Sequence, residues 1–233
     1  MLALGAGCAP AAPPDGEAGA WRDSAADAVS PLERPVVDAE TAGSVRGIVV
    51  LDGPAPTPDD ALLVSDGRVG GVVVHVAAGL EGLRFDPPAV PADIVLREDR
   101  LLPRVTAVMT EQSVRVRGED ELPHHLRARC ERNAERDAPL PAGAGELSFG
   151  FRRPELPVRL GCDLHPSTVG VVAVLADPCF AVTAADGSYE IGGLPPGHYT
   201  LEAWHETLGR RTLEVDVRPA ERTDAPVVVF KLP

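Results

Sequence analysis

The sequence predicts an all-β protein built as sandwiches. Three observations carry this. Its 24 prolines and 23 glycines punctuate the chain at short intervals. The segments between them are short and rich in valine, leucine and isoleucine. Several alternate with a period of two, as a half-buried strand does, and others run continuously apolar, as a strand covered on both faces does. Many short strands separated by turn residues pack as β-sandwiches rather than as helices. At 233 residues there is room for one or two domains, and length alone does not choose between them.

Taken in order, residues 9–42 are rich in Ala, Pro, Asp and Glu and lack a hydrophobic period. Such a segment cannot bury enough surface to offset its ordering entropy, so it reads as a disordered tether with Trp21 as its one aromatic residue. Order begins with the strand Ser44 to Leu51 and the turn Asp52-Gly53-Pro54, and Asp59 to Gly67 reads as a connector. Gly71 to Ala77 is a second strand, in which His75 sits among valines and reads as a strand residue, not a ligand. Ile94 to Leu96, Val105 to Met109 and Ser113 to Val116 are further strands. Glu119 to Asp137 is so highly charged that it reads as a solvated loop with a turn of helix at most. Gly145 to Phe151 alternates again. Asp186-Gly187 and Pro196-Gly197 are hairpin turns flanked by alternating segments, with His198 and His205 on exposed strand positions. Arg211 to Val217 and Val227 to Leu232 close the set.

A formal charge of −13 argues against nucleic-acid binding, which needs a basic face. It suits a soluble surface and docking to a basic partner. No apolar run approaches bilayer-spanning length. Leu4-Gly5-Ala6-Gly7-Cys8 resembles a bacterial lipobox, in which the cysteine is lipidated and tethers the protein to the membrane at the cell envelope. A signal peptide also needs a basic region and a longer apolar segment, which residues 1–7 do not supply. Either the true start lies upstream, or Cys8 is an ordinary cysteine.

The chemistry concentrates in the loop Gly161-Cys162-Asp163-Leu164-His165-Pro166, between the strand-like segments Pro157 to Leu160 and Val169 to Leu175. A thiol and an imidazole three residues apart can reach one ion together but leave its coordination incomplete. Two histidines and a cysteine thiolate make a trigonal set that suits copper, with a weak fourth ligand tuning it. The second imidazole must come from elsewhere, and Pro123-His124-His125 offers two candidates. A nucleophilic Cys162 with His165 as base is disfavoured, because residues this close on a hairpin rarely align for proton transfer and no oxyanion donor pair is evident. The expectation is therefore not an enzyme. The competing expectation for Cys162 is a disulfide with Cys130 or Cys179. With Cys8 lipidated these three would remain in an oxidising compartment, and pairing Cys130 with Cys179 would leave Cys162 for a metal.

The stretch Asp186 to Leu201 matches D-G-x-[FY]-x-[IL]-x-x-L-P-P-G-x-Y-x-L and so resembles the carboxypeptidase regulatory-like (transthyretin-like) β-sandwich. The opening strands of that family have their counterparts before the cysteine loop. The resemblance therefore implies a nested arrangement: a tether at 1–43, a regulatory-like sandwich of 44–84 plus 179–233, and an insert at 85–178. The insert resembles the amicyanin- and plastocyanin-like cupredoxins, through the Cys162-Asp163-Leu164-His165-Pro166 loop and the histidine pair after the Asp120 turn. That resemblance implies a Greek-key sandwich holding one copper ion on His124, Cys162 and His165. It further implies one-electron transfer with a redox partner protein. Thr168 stands where the family places its axial methionine, and Gly118-Glu119 where it places an asparagine. Thr168 is thus a weak axial position at best. The competing expectation is a metal-free, structural or interaction lipoprotein with a degenerate site.

Overall fold

The computed structural model describes residues 38, 40–54, 61–119, 121–143 and 145–232. Cys8, Trp21, Asp120 and nearly all of the tether lie outside the described residues. The described chain is all-β, with no helix. Its strands are β1 (Gly43–Asp52), β2 (Leu63–Ser65), β3 (Arg68–Gly70), β4 (Val73–Ala78), β5 (Ala92–Arg97), β6 (Arg100–Leu102), β7 (Val105–Met109), β8 (Ser113–Gly118), β9 (His124–Arg129) and β10 (Arg136–Leu140). They continue as β11 (Glu146–Gly150), β12 (Glu155–Cys162), β13 (Val169–Leu175), β14 (Phe180–Val182), β15 (Ser188–Leu194), β16 (Gly197–His205), β17 (Gly209–Val217), β18 (Arg222–Asp224) and β19 (Val228–Lys231).

Four sheets stack around two cores. A sheet ordered β15-β1-β3-β2, with β18 and β19 also on β1, faces the sheet β14-β4-β16-β17. Val45, Val49, Val72, Val74, Ile191, Leu201 and Phe230 fill the space between them. The sheet β10-β9-β12-β13-β7 faces β11-β8-β5-β6 across a second core of Ile94, Leu96, Val116, Leu126, Leu160, Val172 and Val174. The first core joins strands far apart in sequence: β1 runs antiparallel to β15, and β4 to both β14 and β16.

The two continuous apolar runs explain how these bodies meet. In β13, Val172 and Val174 point into the second core while Val171, Ala173 and Leu175 point outward. The outward set packs against Val73 of β4 and Trp204 of β16. A strand covered on both faces has no polar side to show, so its sequence cannot alternate. Beside this seam Arg104 pairs with Glu206 in a half-buried ion pair.

Several sequence expectations need correction. The charged stretch Glu119 to Asp137 is not a loop: it supplies β9 and the start of β10. His124, Leu126 and Ala128 are buried while His125, Arg127 and Arg129 face outward, so the charges occupy the polar half of a period-two pattern and hide it. The connector before Gly71 holds the β2–β3 hairpin. Neither the turn at Asp186-Gly187 nor that at Pro196-Gly197 joins paired strands, because β14 and β16 lie in one sheet and β15 in another. Tyr199 pins this corner by donating its hydroxyl to the Pro195 carbonyl at 2.6 Å. His205 is buried, not exposed, and its Nδ1 accepts the Thr207 amide.

One buried carboxylate ties β12 to the loop after β9. Glu155, at the start of β12, accepts the backbone N–H groups of Glu131, Arg132 and Asn133 and the Asn133 side-chain amide. Burial opposes its charge, but these donors outweigh burial and hold its pKa below the usual value. Glu155→Ala strands three backbone amides and should cost about 3 kcal/mol in chemical denaturation. Because the folded-state pKa is depressed, the carboxylate's stabilisation is present above an unfolded value of about 4.3 and is lost as pH falls through the folded one. Wild type should therefore lose stability more steeply than Glu155→Gln on acidification over this range, and equal slopes would refute the assignment.

Candidate metal centre

The end of the second sandwich where β9 begins and β12 finishes gathers the chemistry. Cys162 pairs with Leu126 across the β9–β12 ladder. Side chains alternate along a strand, so Leu126 and His124 share one face, and Cys162 opposite Leu126 shares it too. His124 is thereby the diagonal neighbour of Cys162, and both are buried. The loop after Cys162 is folded back by two backbone bonds, Cys162 N–H to Thr168 O at 3.3 Å and Thr168 N–H to His165 O at 3.0 Å.

That fold-back returns His165 to the thiol. Its Nδ1 stands 3.7 Å from Cys162 Sγ and 3.0 Å from His124 Nδ1. One ligand atom from each of His124, Cys162 and His165 lies within 4.8 Å of the others. The imidazole rings meet edge to face, with centroids 4.6 Å apart. The backbone N–H of His125 points at Cys162 Sγ across 3.4 Å. Such a donor stabilises negative charge on sulfur.

The other candidates fall elsewhere. The His125 side chain faces outward, with Nε2 3.7 Å from Asp137. Thr168 is buried and its hydroxyl lacks a hydrogen-bond partner, while its backbone closes the loop. The pairing of Cys130 with Cys179 is not formed. Cys179 belongs to the first core, and Cys130 packs against the second. Burial, with Glu155 nearby, pushes the Cys130 thiol up to about 11, and burial beside Asp177 pushes Cys179 up to about 12. Both are therefore inert thiols at neutral pH.

Sequence reasoning missed two groups here. Asp99, in the turn between β5 and β6, brings Oδ1 to 3.5 Å from His165 Nδ1. The polar pair Glu98-Asp99 between short apolar runs marks a turn, but nothing local places that turn beside His165. Arg127, Arg129 and Arg159 line a groove beside Cys162. Arg129 and Arg159 are direct partners across the β9–β12 ladder, visible only once the register is known.

The donor set fits a copper ion. One sulfur and two imidazole nitrogens are the mixed soft and intermediate ligands that copper accepts in both oxidation states. Two nitrogens 3.0 Å apart can each sit at a normal bond length of about 2.0 Å from one ion.

No protein-family model and no curated protein matches the chain. Among solved structures it is similar to a purple cupredoxin from Nitrosopumilus maritimus, at 17% identity over 36% of this chain and 99% of that one, with a TM-score of 0.32. It is similar to a reduced amicyanin variant at 16% identity, over 38% of this chain and 85% of that one, with a TM-score of 0.34. A copper-containing nitrite reductase from Thermus scotoductus SA-01 matches at 18% identity over 39% of this chain, with a TM-score of 0.34. The chain spans only 25% of the length of that reductase.

Proposed function

We propose that the chain holds one copper ion on His124, Cys162 and His165 and passes single electrons to a redox partner protein. In this reading residues 85–178 are a cupredoxin-like module nested in a regulatory-like sandwich of 44–84 plus 179–233. A lipid on Cys8 would hold it at the periplasmic or outer-membrane surface, a reading supported by the lipobox-like Leu4 to Cys8. The observation that carries the function is the convergence of two imidazoles and one thiol from separate elements on one end of a sandwich.

Bound copper would supply the one-electron couple. The chain supplies rigidity and access. His124 lies on β9, which pairs with β10 on one side and β12 on the other, so its ring is held in place before and after electron transfer. The His125 amide points at the Cys162 sulfur and fixes its position. Burial leaves that sulfur little access for a substrate, which favours an electron carrier over a catalyst. His165 remains partly exposed beside the exposed Leu164, and this edge offers a short route to a docked partner. The net charge suits a basic partner, but the three arginines beside Cys162 would repel one, so such a partner would dock over the His165 rim.

Copper(II) added to the purified chain should bind at one equivalent and give an intense visible band from thiolate charge transfer. Cys162→Ser should abolish that band and His124→Ala should lower copper affinity by about tenfold or more. His125→Ala should leave both nearly intact, since its ring faces Asp137. Thr168→Met should strengthen copper retention. If wild type and Thr168→Met both refuse copper, the metal-free interaction scaffold is the correct reading.

The anchor has its own test. In cells producing the protein from an upstream start, Cys8→Ser should release it from the membrane fraction. Retention of that variant would refute the lipid anchor.

A further inference from the structure

The turn that carries Asp99 is conformationally costly. Arg97 pairs with Arg100, leaving Glu98 and Asp99 as the two central residues of the β5–β6 hairpin. Their φ angles are +51° and +59°. Two consecutive positive φ values are the requirement of a type I′ turn, which Asn-Gly or Gly-Gly meets far more readily than Glu-Asp. Strain kept where a cheaper residue would serve points to a function for the side chain.

The carboxylate has a specific target. Oδ1 is shielded from solvent and stands 3.5 Å from Nδ1 of His165. A carboxylate that merely orients a metal-binding imidazole meets the ring's other nitrogen, the one left over after ligation. Asp99 instead approaches the same nitrogen that faces His124 Nδ1 and Cys162 Sγ. It therefore lies on the donor side of the ring. Thr168, the alternative from the family pattern, closes the loop through its backbone and offers only a neutral hydroxyl, a poorer copper donor than a carboxylate oxygen.

We propose that Asp99 supplies a carboxylate oxygen as the fourth donor to the ion held by His124, Cys162 and His165. This rests on the copper reading above and sharpens it. A hard, anionic oxygen suits Cu(II) better than Cu(I). Thiolate and carboxylate together also neutralise the charge of a divalent ion, whereas a monovalent ion would leave one uncompensated negative charge in a largely buried site. Both effects favour the oxidised state, so the centre takes up electrons less readily than one with a neutral axial ligand.

The test uses the full chain with Asp99→Gly and Asp99→Asn. Glycine and asparagine both tolerate positive φ, so the metal-free variants should melt no lower than wild type. Each is titrated with Cu(II) and with Cu(I) against chelators of known affinity, and the reduction potential and the Cu(II) paramagnetic resonance spectrum are recorded. Asp99→Gly should weaken Cu(II) binding by at least the roughly 10- to 100-fold that losing an outer-shell partner costs. It should weaken Cu(I) binding less, raise the potential and change the copper hyperfine splitting, with Asp99→Asn between it and wild type. Copper affinities, spectrum and potential unchanged in both variants would overturn the role of Asp99 while leaving the three-ligand site standing. A wild-type chain that takes no copper would overturn the site and this inference together.

Discussion

The register between β9 and β12 is the constraint on which the candidate centre depends. Cys162 lies opposite Leu126, and this places Cys162 and His124 on the core face of one sheet. A shift by one residue would turn His125 inward and His124 out, and would also expose Leu126 and Ala128. The burial of these two side chains therefore selects which histidine faces the Cys162 thiol. Glu155 reinforces the same register from the other end of β12 by binding the loop that follows β9. A buried charge serves this role because it accepts several amides at once and loses much if any of them moves.

The same economy governs the seam between the two sandwiches. The β13 strand belongs to the second core on one face and to the seam on the other. It also emerges directly from the loop that carries His165. Pairing of β13 with both β12 and β7 leaves little freedom at the exit of that loop. At Gly170 a side chain would press against Leu101 and the Arg104 carbonyl, so glycine there lets β13 approach the turn between β6 and β7 closely. Packing at the seam and geometry at the centre are thus linked through one short run of backbone.

Charge is distributed by structure in a way that net charge does not reveal. The chain is acidic overall, yet arginines line the groove beside Cys162. Arg127 is offset by Asp163 at 3.0 Å and Asp137 at 3.6 Å. Arg129 and Arg159 face each other across the ladder, an arrangement that costs stability in the folded chain. The surface beside Cys162 therefore has a local sign that differs from the whole.

The sequence by itself determined the all-β class, the strand identity of its apolar runs, and the thiol and imidazole of the Cys162 loop. These depend on local properties: β-branched content, turn residues and three-residue spacing on one loop. It also narrowed the second imidazole to two adjacent residues, between which only the family resemblance and not the local pattern chose, because alternate strand faces look identical until one is buried. Charges concealed β9 for a similar reason, since Arg127 and Arg129 mask an alternation that only the core at Leu126 and Ala128 makes plain. The approach of Asp99, the separation of Cys130 from Cys179 and the burial of His205 were decided by tertiary structure alone. Each depends on which sheets pack together, and sheet packing joins residues whose separation along the chain carries no local signal.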